Sequence, residues 1–238
     1  MYLAEGMKIR RSRVVWVCFI FAAFVPILII FKDYISQFPV ADAMPISSWT
    51  TITIQYSLLF VYPILSGFVV TNLVQREYSE RTIINAITAP TSRAAFFSGK
   101  LLMLFTWQLA ITVLCCILTI LGGLLLFPGA MTVEMALTVT ANCFSSSILS
   151  FLSFLPVTCI AVVQRDAFYP SLICCLICAG ISAAASMMPL FWGNLIPWTA
   201  VLVFHFTQTI YPLGMTSILL CAVVSVCVSI FSINKQDL

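Results

Sequence analysis

The sequence has little charge and a single histidine. Only 8% of its 238 residues are Asp, Glu, Lys or Arg, against about 25% in a typical soluble domain, and 62% are apolar. This composition predicts an integral membrane protein, and a net charge of +3 is too small to indicate nucleic acid as a partner. Because no stretch is polar and long enough to fold separately in water, we expect residues 1–238 to form one membrane domain.

Sequence motifs of common catalytic and nucleotide-binding sites are also missing. The chain has no G-x-S-x-G, no H-E-x-x-H and no pair of aspartates within its apolar runs. Gly99 and Lys100 resemble the end of a phosphate-binding loop, but Ala94 replaces its first glycine and Leu101 its Ser or Thr. We therefore predict no catalytic, cofactor or metal site, and any ATP and Mg²⁺ must bind to a partner subunit.

The cysteines and the histidine point to packing rather than chemistry. All ten cysteines lie in apolar runs, so a disulfide framework, which needs paired loop cysteines, is not expected. Cys174, Cys175 and Cys178 have no His or carboxylate nearby to complete a metal site. His205, between two phenylalanines, is interpreted as an interfacial or packing residue.

Long apolar runs make up most of the sequence. A helix rises 1.5 Å per residue, so about 20 apolar residues cross the hydrocarbon layer of roughly 30 Å. Helices are expected because the sequence lacks the alternation of apolar and polar residues that is typical of the strands of a membrane β-barrel. Six runs qualify as transmembrane helices, giving an all-α integral membrane protein with spans at about 14–31, 51–74, 101–127, 135–163, 167–188 and 213–233.

The basic residues predict the orientation of these spans. With both termini in the cytoplasm, ten of the eleven Lys and Arg residues lie inside and only Lys32 lies outside. The basic stretch before the first run resembles a signal sequence, but no cleavage site follows, so an uncleaved span is expected. Residues 191–212 are apolar yet interrupted by Pro197 and Pro212, which predicts a re-entrant pair of short helices in the outer leaflet before the last span. The predicted location is the plasma membrane.

The six predicted spans contain some polar residues but no charged ones. Carriers driven by protons or sodium usually need a carboxylate within the membrane, and none falls inside the predicted spans. The fourth span has a polar stripe at helical spacing, which serves either helix packing or a polar substrate path. Its members are Asn142, Ser146, Ser150 and Ser153.

One short segment holds much of the charge. Arg76–Lys100 contains six of the nineteen charged residues, and burying six charges in a bilayer would cost on the order of 15–20 kcal/mol. The segment should therefore lie in water against the cytoplasmic face. It predicts a short amphipathic helix that ends before Pro90, with Ile83, Ile84 and Ile87 on one face and Glu77, Glu80 and Arg81 largely elsewhere.

This arrangement resembles the ABC-2 class of ABC-transporter permeases, and within it the small bacitracin and lantibiotic-type exporters. In that family the link between spans 2 and 3 carries a Glu, a Thr, a Pro-x-Ser-Arg element and a Lys at the start of span 3. Those positions are filled here by Glu77, Thr82, Pro90, Ser92, Arg93 and Lys100. The N-L-I-P-W sequence at residues 194–198 is similar to another family element, whereas Arg81 stands where many members have glycine.

The resemblance implies a function and partners. Residues 77–89 would contain a coupling helix that docks on a separate ABC ATPase dimer, with contacts from Glu77, Glu80, Arg81, Thr82, Ile83, Ile84, Ile87, Pro90 and Arg93. The permease would pair with a second copy or a paralogue and move an amphipathic peptide or lipid, as in bacitracin resistance or lantibiotic immunity. Two alternatives remain: a non-transporting scaffold or sensor that recruits a cytoplasmic partner, and an autonomous carrier or channel.

Overall fold

The computed structural model describes residues 13–36, 40–79, 93–163, 169–184 and 189–235, and these residues contain helices and no strand. The prediction of an all-α membrane protein is confirmed. In chain order the helices are α1 (Arg13–Ile35), α2 (Val40–Ala43), α3 (Ile46–Tyr56), α4 (Tyr62–Ser79), α5 (Arg93–Leu126), α6 (Val133–Ser153), α7 (Pro156–Val163), α8 (Tyr169–Ala184), α9 (Leu190–Leu195), α10 (Pro197–Thr207) and α11 (Pro212–Lys235).

Within the described ranges, five helical stretches are long and apolar enough to cross a membrane. They are Trp16–Ile35, Ile46–Leu73, Phe97–Leu126, Val133–Ala161 and Pro212–Ser232. The predicted fifth span corresponds to α8, which has 16 described residues and would rise only about 24 Å. The predicted count of six spans therefore stays a prediction, while the multi-pass membrane character does not depend on it.

Two spans differ from simple helices because of proline. The predicted span 135–163 is broken at Phe154 and Leu155, since Pro156 has no N–H to continue the ladder of hydrogen bonds and opens α7 as a new helix. In the second span, α3 and α4 are joined by a π-helical turn, Ser57–Val61, which ends two residues before Pro63. That span also begins at Ile46, five residues earlier than predicted.

The second span lies at the centre of the bundle. An 18-residue apolar stretch of this span is 61% buried, against 28% for the corresponding stretch of the first span and of the last. Its α3 packs against α1, α5, α6 and α10, and its α4 packs against α5, α6, α7 and α8. A motion of α4 would therefore reach most of the bundle.

The segment before α11 is a pair of short helices, as predicted. Pro197 begins α10 at a position where its missing N–H costs nothing, and Gln208 ends it with a left-handed backbone (φ 51°). Together α9 and α10 form the hairpin, which packs against α6, α8 and α11. Its predicted place in the outer leaflet follows from the orientation of the chain.

Candidate functional site

The predicted coupling segment lies almost entirely outside the described residues. Glu77 falls in the last turn of α4 and Arg93 is the first residue of α5. The other predicted coupling residues are Glu80, Arg81, Thr82, Ile83, Ile84, Ile87 and Pro90, all beyond the described part of the chain. The structure thus describes the two helices that flank this segment.

A buried lysine joins those two helices. The Nζ of Lys100, on α5, donates to the carbonyl oxygen of Leu73, on α4, at 2.6 Å, and Lys100 is only 5% exposed. The expectation that the charged segment lies in water therefore fails at its last residue. A backbone carbonyl supplies an acceptor that water would otherwise provide, so the ammonium group can be buried at this helix contact.

A close contact also joins α4 to α8. The hydroxyls of Thr71 and Ser171 lie 2.5 Å apart, and a Cβ added to Gly67 would lie 2.9 Å from the Sγ of Cys175. The absence of a side chain at Gly67 lets the helices approach here. Residue 71 is two positions from Leu73, so α4 is held on two sides near the end from which the coupling segment leaves.

A chain of polar side chains crosses the middle of the bundle. The hydroxyl of Tyr62 donates to Thr112 Oγ1 at 3.3 Å, Thr112 lies 2.5 Å from the hydroxyl of Ser147, and Gln108 Nε2 donates to Ser147 at 3.4 Å. All four residues are buried. They connect α4, α5 and α6 through interhelical hydrogen bonds, each worth about 0.6–2 kcal/mol in a membrane.

His205, on α10, connects that helix to α3 and α6 and is fully buried. Its Nε2 donates to the carbonyl oxygen of Thr51 on α3 at 2.9 Å, and its Nδ1 lies 3.2 Å from the hydroxyl of Ser146 on α6. A carbonyl oxygen can only accept, so Nε2 carries the hydrogen and the neutral ring accepts from Ser146. Burial lowers the pKa of His205 below its ordinary value of 6.5, despite the opposing effect of the Thr51 hydrogen bond.

Sequence reasoning treated His205 as a packing residue and missed this connection. Its partners lie 154 and 59 positions away in the chain, so no local pattern marks them. The one available signal was that Ser146 belonged to the polar stripe of the fourth span.

The stripe itself faces the bundle interior. Ser146, Ser150 and Ser153 are buried, whereas Asn142 is half-buried. Close to Phe154 and Leu155 lies a cavity of about 20 Å³, lined in part by Trp107 and Gln108, which is large enough for one water molecule. Whether the stripe serves packing or a substrate path stays a prediction.

The described residues join the helices by polar contacts. Among them no group of His, Cys, Asp and Glu side chains could hold a metal ion, and the ten cysteines are free. Polar contacts instead tie the central span to its neighbours, next to a charged segment between α4 and α5. With five helical stretches long and apolar enough to cross a membrane, the described residues define a multi-pass membrane protein.

Comparison with known proteins identifies the family. The family model described as ABC-2 family transporter protein matches residues 2–180, well over half of the chain, so the chain belongs to this family. It is also similar to the bacitracin transport permease protein BCRB of Bacillus licheniformis, with 27% identity over 147 residues, covering 61% of this chain and 69% of that protein. No solved structure matches the chain. The protein is thus a multi-pass plasma membrane protein of a family whose permease subunits have no ATPase site of their own.

Proposed function

We propose that this protein is the membrane subunit of an ABC exporter and that residues 77–89 receive the motion of a separate ATPase dimer. One observation carries the proposal: α4 and α5, which flank this segment, are joined by Lys100 and Leu73 where the segment leaves them. A displacement of the segment would therefore move both helices together. Because α4 continues the central span, the motion would pass into the bundle.

The proposed substrate is an amphipathic molecule, either a peptide antibiotic or a lipid. The printed name of the relative from Bacillus licheniformis concerns bacitracin transport, which makes bacitracin the first compound to test. Within the described spans, carboxylates occur only near the span ends, at Asp33 and Glu134. This supports ATP as the energy source, since ion-driven carriers usually bind their ion at an intramembrane carboxylate. Assembly with a second copy or a paralogue is part of the same proposal.

Docking and transmission can be separated by two sets of variants. Reversing charges in the segment with Glu77→Lys and Arg81→Glu should abolish co-purification with the ATPase, because those side chains are proposed to contact it. Lys100→Met should leave co-purification intact but reduce substrate-stimulated ATP hydrolysis by about fivefold or more, a coupling energy of typical allosteric size. Glu134→Lys, an exposed change at the start of α6, is the matched control and should alter neither.

Two results would contradict the proposal. Association and stimulated hydrolysis that survive the double charge reversal would show that the segment is not the docking site. Resistance to the peptide that persists when ATP hydrolysis by the partner is blocked would favour the scaffold or sensor alternative instead.

A further inference from the structure

A small cavity lies beside the break between α6 and α7, enclosed by those two helices together with α4 and α5. The space open to the centre of a water molecule is about 20 Å³, and one water needs roughly 10–15 Å³ on this measure. The cavity can therefore hold one water molecule, but it is too small for a lipid chain. Its lining is apolar except for Ser66, Trp107, Gln108 and Thr158.

Gln108 brings an unpaired oxygen to this cavity. The residue is only 4% exposed, and its Nε2 donates to the hydroxyl of Ser147 at 3.4 Å. Its Oε1 accepts no hydrogen bond from any residue that the structure describes. Buried amide oxygens are normally satisfied by protein or by ordered water, because leaving them unpaired is costly. Among the described side chains, the unpaired atoms that protein covers fully are Nε1 of Trp107 and of Trp198, so the Gln108 oxygen remains open to water.

The register of α4 and α5 places Ser66 opposite Gln108. The two helices run antiparallel, since the Tyr62–Thr112 bond joins the start of α4 to a later part of α5 and the lysine contact joins their other ends. Ser66 follows Tyr62 by one turn of α4. Gln108 precedes Thr112 by one turn of α5, so both side chains lie next to that hydrogen-bonded pair, on the faces in contact. The hydroxyl of Ser66 also has no hydrogen-bond partner within the described part of the chain.

The chemistry of the lining fits water rather than an ion. No charged side chain lines the cavity, so an ion would find no balancing charge there. A water molecule can donate to the Gln108 oxygen and either donate to or accept from the Ser66 hydroxyl. Of the other polar members, Trp107 has its Nε1 covered, and Thr158 already donates to the Leu155 carbonyl at 2.6 Å. Gln108 and Ser66 are therefore the groups that a water would bridge.

We propose that this cavity binds one water molecule, which bridges Gln108 of α5 and Ser66 of α4. The bridge completes a polar connection that leads from Ser66 through the water to Gln108, and on through Ser147 and Thr112 back to Tyr62 on α4. A water bridge is nearly as favourable in enthalpy as a direct hydrogen bond, and it re-forms when the spacing of two helices changes slightly. The helices that flank the coupling segment are thus joined here by an exchangeable molecule. The site belongs to the chain alone and requires no ATPase.

Hydroxyl-radical footprinting of the full-length protein in nanodiscs tests the proposal. Short X-ray pulses split water into hydroxyl radicals, which oxidise the side chains beside each water, and mass spectrometry locates the products. Trp107 should be oxidised, because its side chain lines the cavity. Its oxidation rate should fall severalfold in Ser66→Val, which fills the cavity and removes one partner of the water. The rate should fall equally in Gln108→Met, which removes the other partner with little change in size, so this variant decides the test if Ser66→Val does not fold.

The matched control is Ser145→Val, at a half-buried serine of α6 outside the cavity lining. It should leave the oxidation rate of Trp107 at the native value, while Trp192, which is 54% exposed, reports the radical dose in every sample. A native protein in which Trp107 is not oxidised would overturn the proposal. So would a Trp107 rate that stays native in both cavity variants, or one that falls as far in Ser145→Val as in them.

Discussion

At the residue scale, the buried His205 is a polar side chain that holds helices of the bundle together. Its ring connects α10 to α3 and α6 while fully buried. We expect His205→Ala to destabilise the fold by about 2–4 kcal/mol, because it leaves a cavity and removes two hydrogen bonds. The thermal unfolding midpoint in detergent should fall by about 5–10 °C. Phe206→Ala, an exposed neighbour on the same helix, should change it little.

The same residue predicts a dependence of stability on pH. Burial lowers the pKa of His205 in the folded protein below its ordinary value of 6.5. As pH falls below about 6.5 the unfolded chain takes up a proton that the folded chain does not, so stability is full above this pH and declines towards the lowered pKa. Unfolding midpoints measured from pH 8 to 5 should show this decline in the native protein and a weaker one in His205→Gln. Parallel curves would assign the decline to other groups.

At the element scale, the sequence predicts much of the architecture and little of its irregularity. The lengths of the apolar runs predicted where the membrane helices lie, because a bilayer requires about the same length of each span. It did not locate the break at Pro156 or the π-helical turn before Pro63, since a proline within a long apolar run bends, shifts or interrupts a helix according to what packs against it. It also placed Lys100 in water, because a sequence does not reveal a carbonyl acceptor on another helix.

The contact between α4 and α8 can be tested at this scale. A larger side chain at Gly67 would collide with Cys175 and with the backbone of Leu172, 3.5 Å from an added Cβ. Gly67→Leu should therefore destabilise the protein by about 1–3 kcal/mol, measured as a lower unfolding midpoint. Gly180→Leu on α8 is the control, since an added Cβ there meets nothing within 4 Å. An equal effect of both changes would mean that the approach of the helices at Gly67 does not matter.

At the scale of the whole molecule, the number of crossings decides which surfaces face the cytoplasm. The described part of α8 rises about 24 Å, short of the roughly 30 Å hydrocarbon layer. If α8 crosses with the help of flanking residues, a thinner bilayer or both, the hairpin faces outward. If it does not cross, the hairpin lies on the cytoplasmic side and α11 crosses the membrane in the opposite direction. The side of the membrane on which the hairpin lies therefore depends on this helix, whereas the proposed coupling segment between α4 and α5 precedes it in the chain.

Labelling of introduced cysteines on intact cells distinguishes these topologies. Ala130→Cys, before α6, and Thr209→Cys, after the hairpin, both lie at exposed positions, and six crossings place them on the outer side. A membrane-impermeant maleimide should label both, while Ser92→Cys should react only after permeabilisation. The native cysteines supply the background measurement, made on the protein without an introduced cysteine. Labelling of Ala130→Cys but not Thr209→Cys on intact cells would show that α8 does not cross, because an odd number of crossings would then separate the two positions.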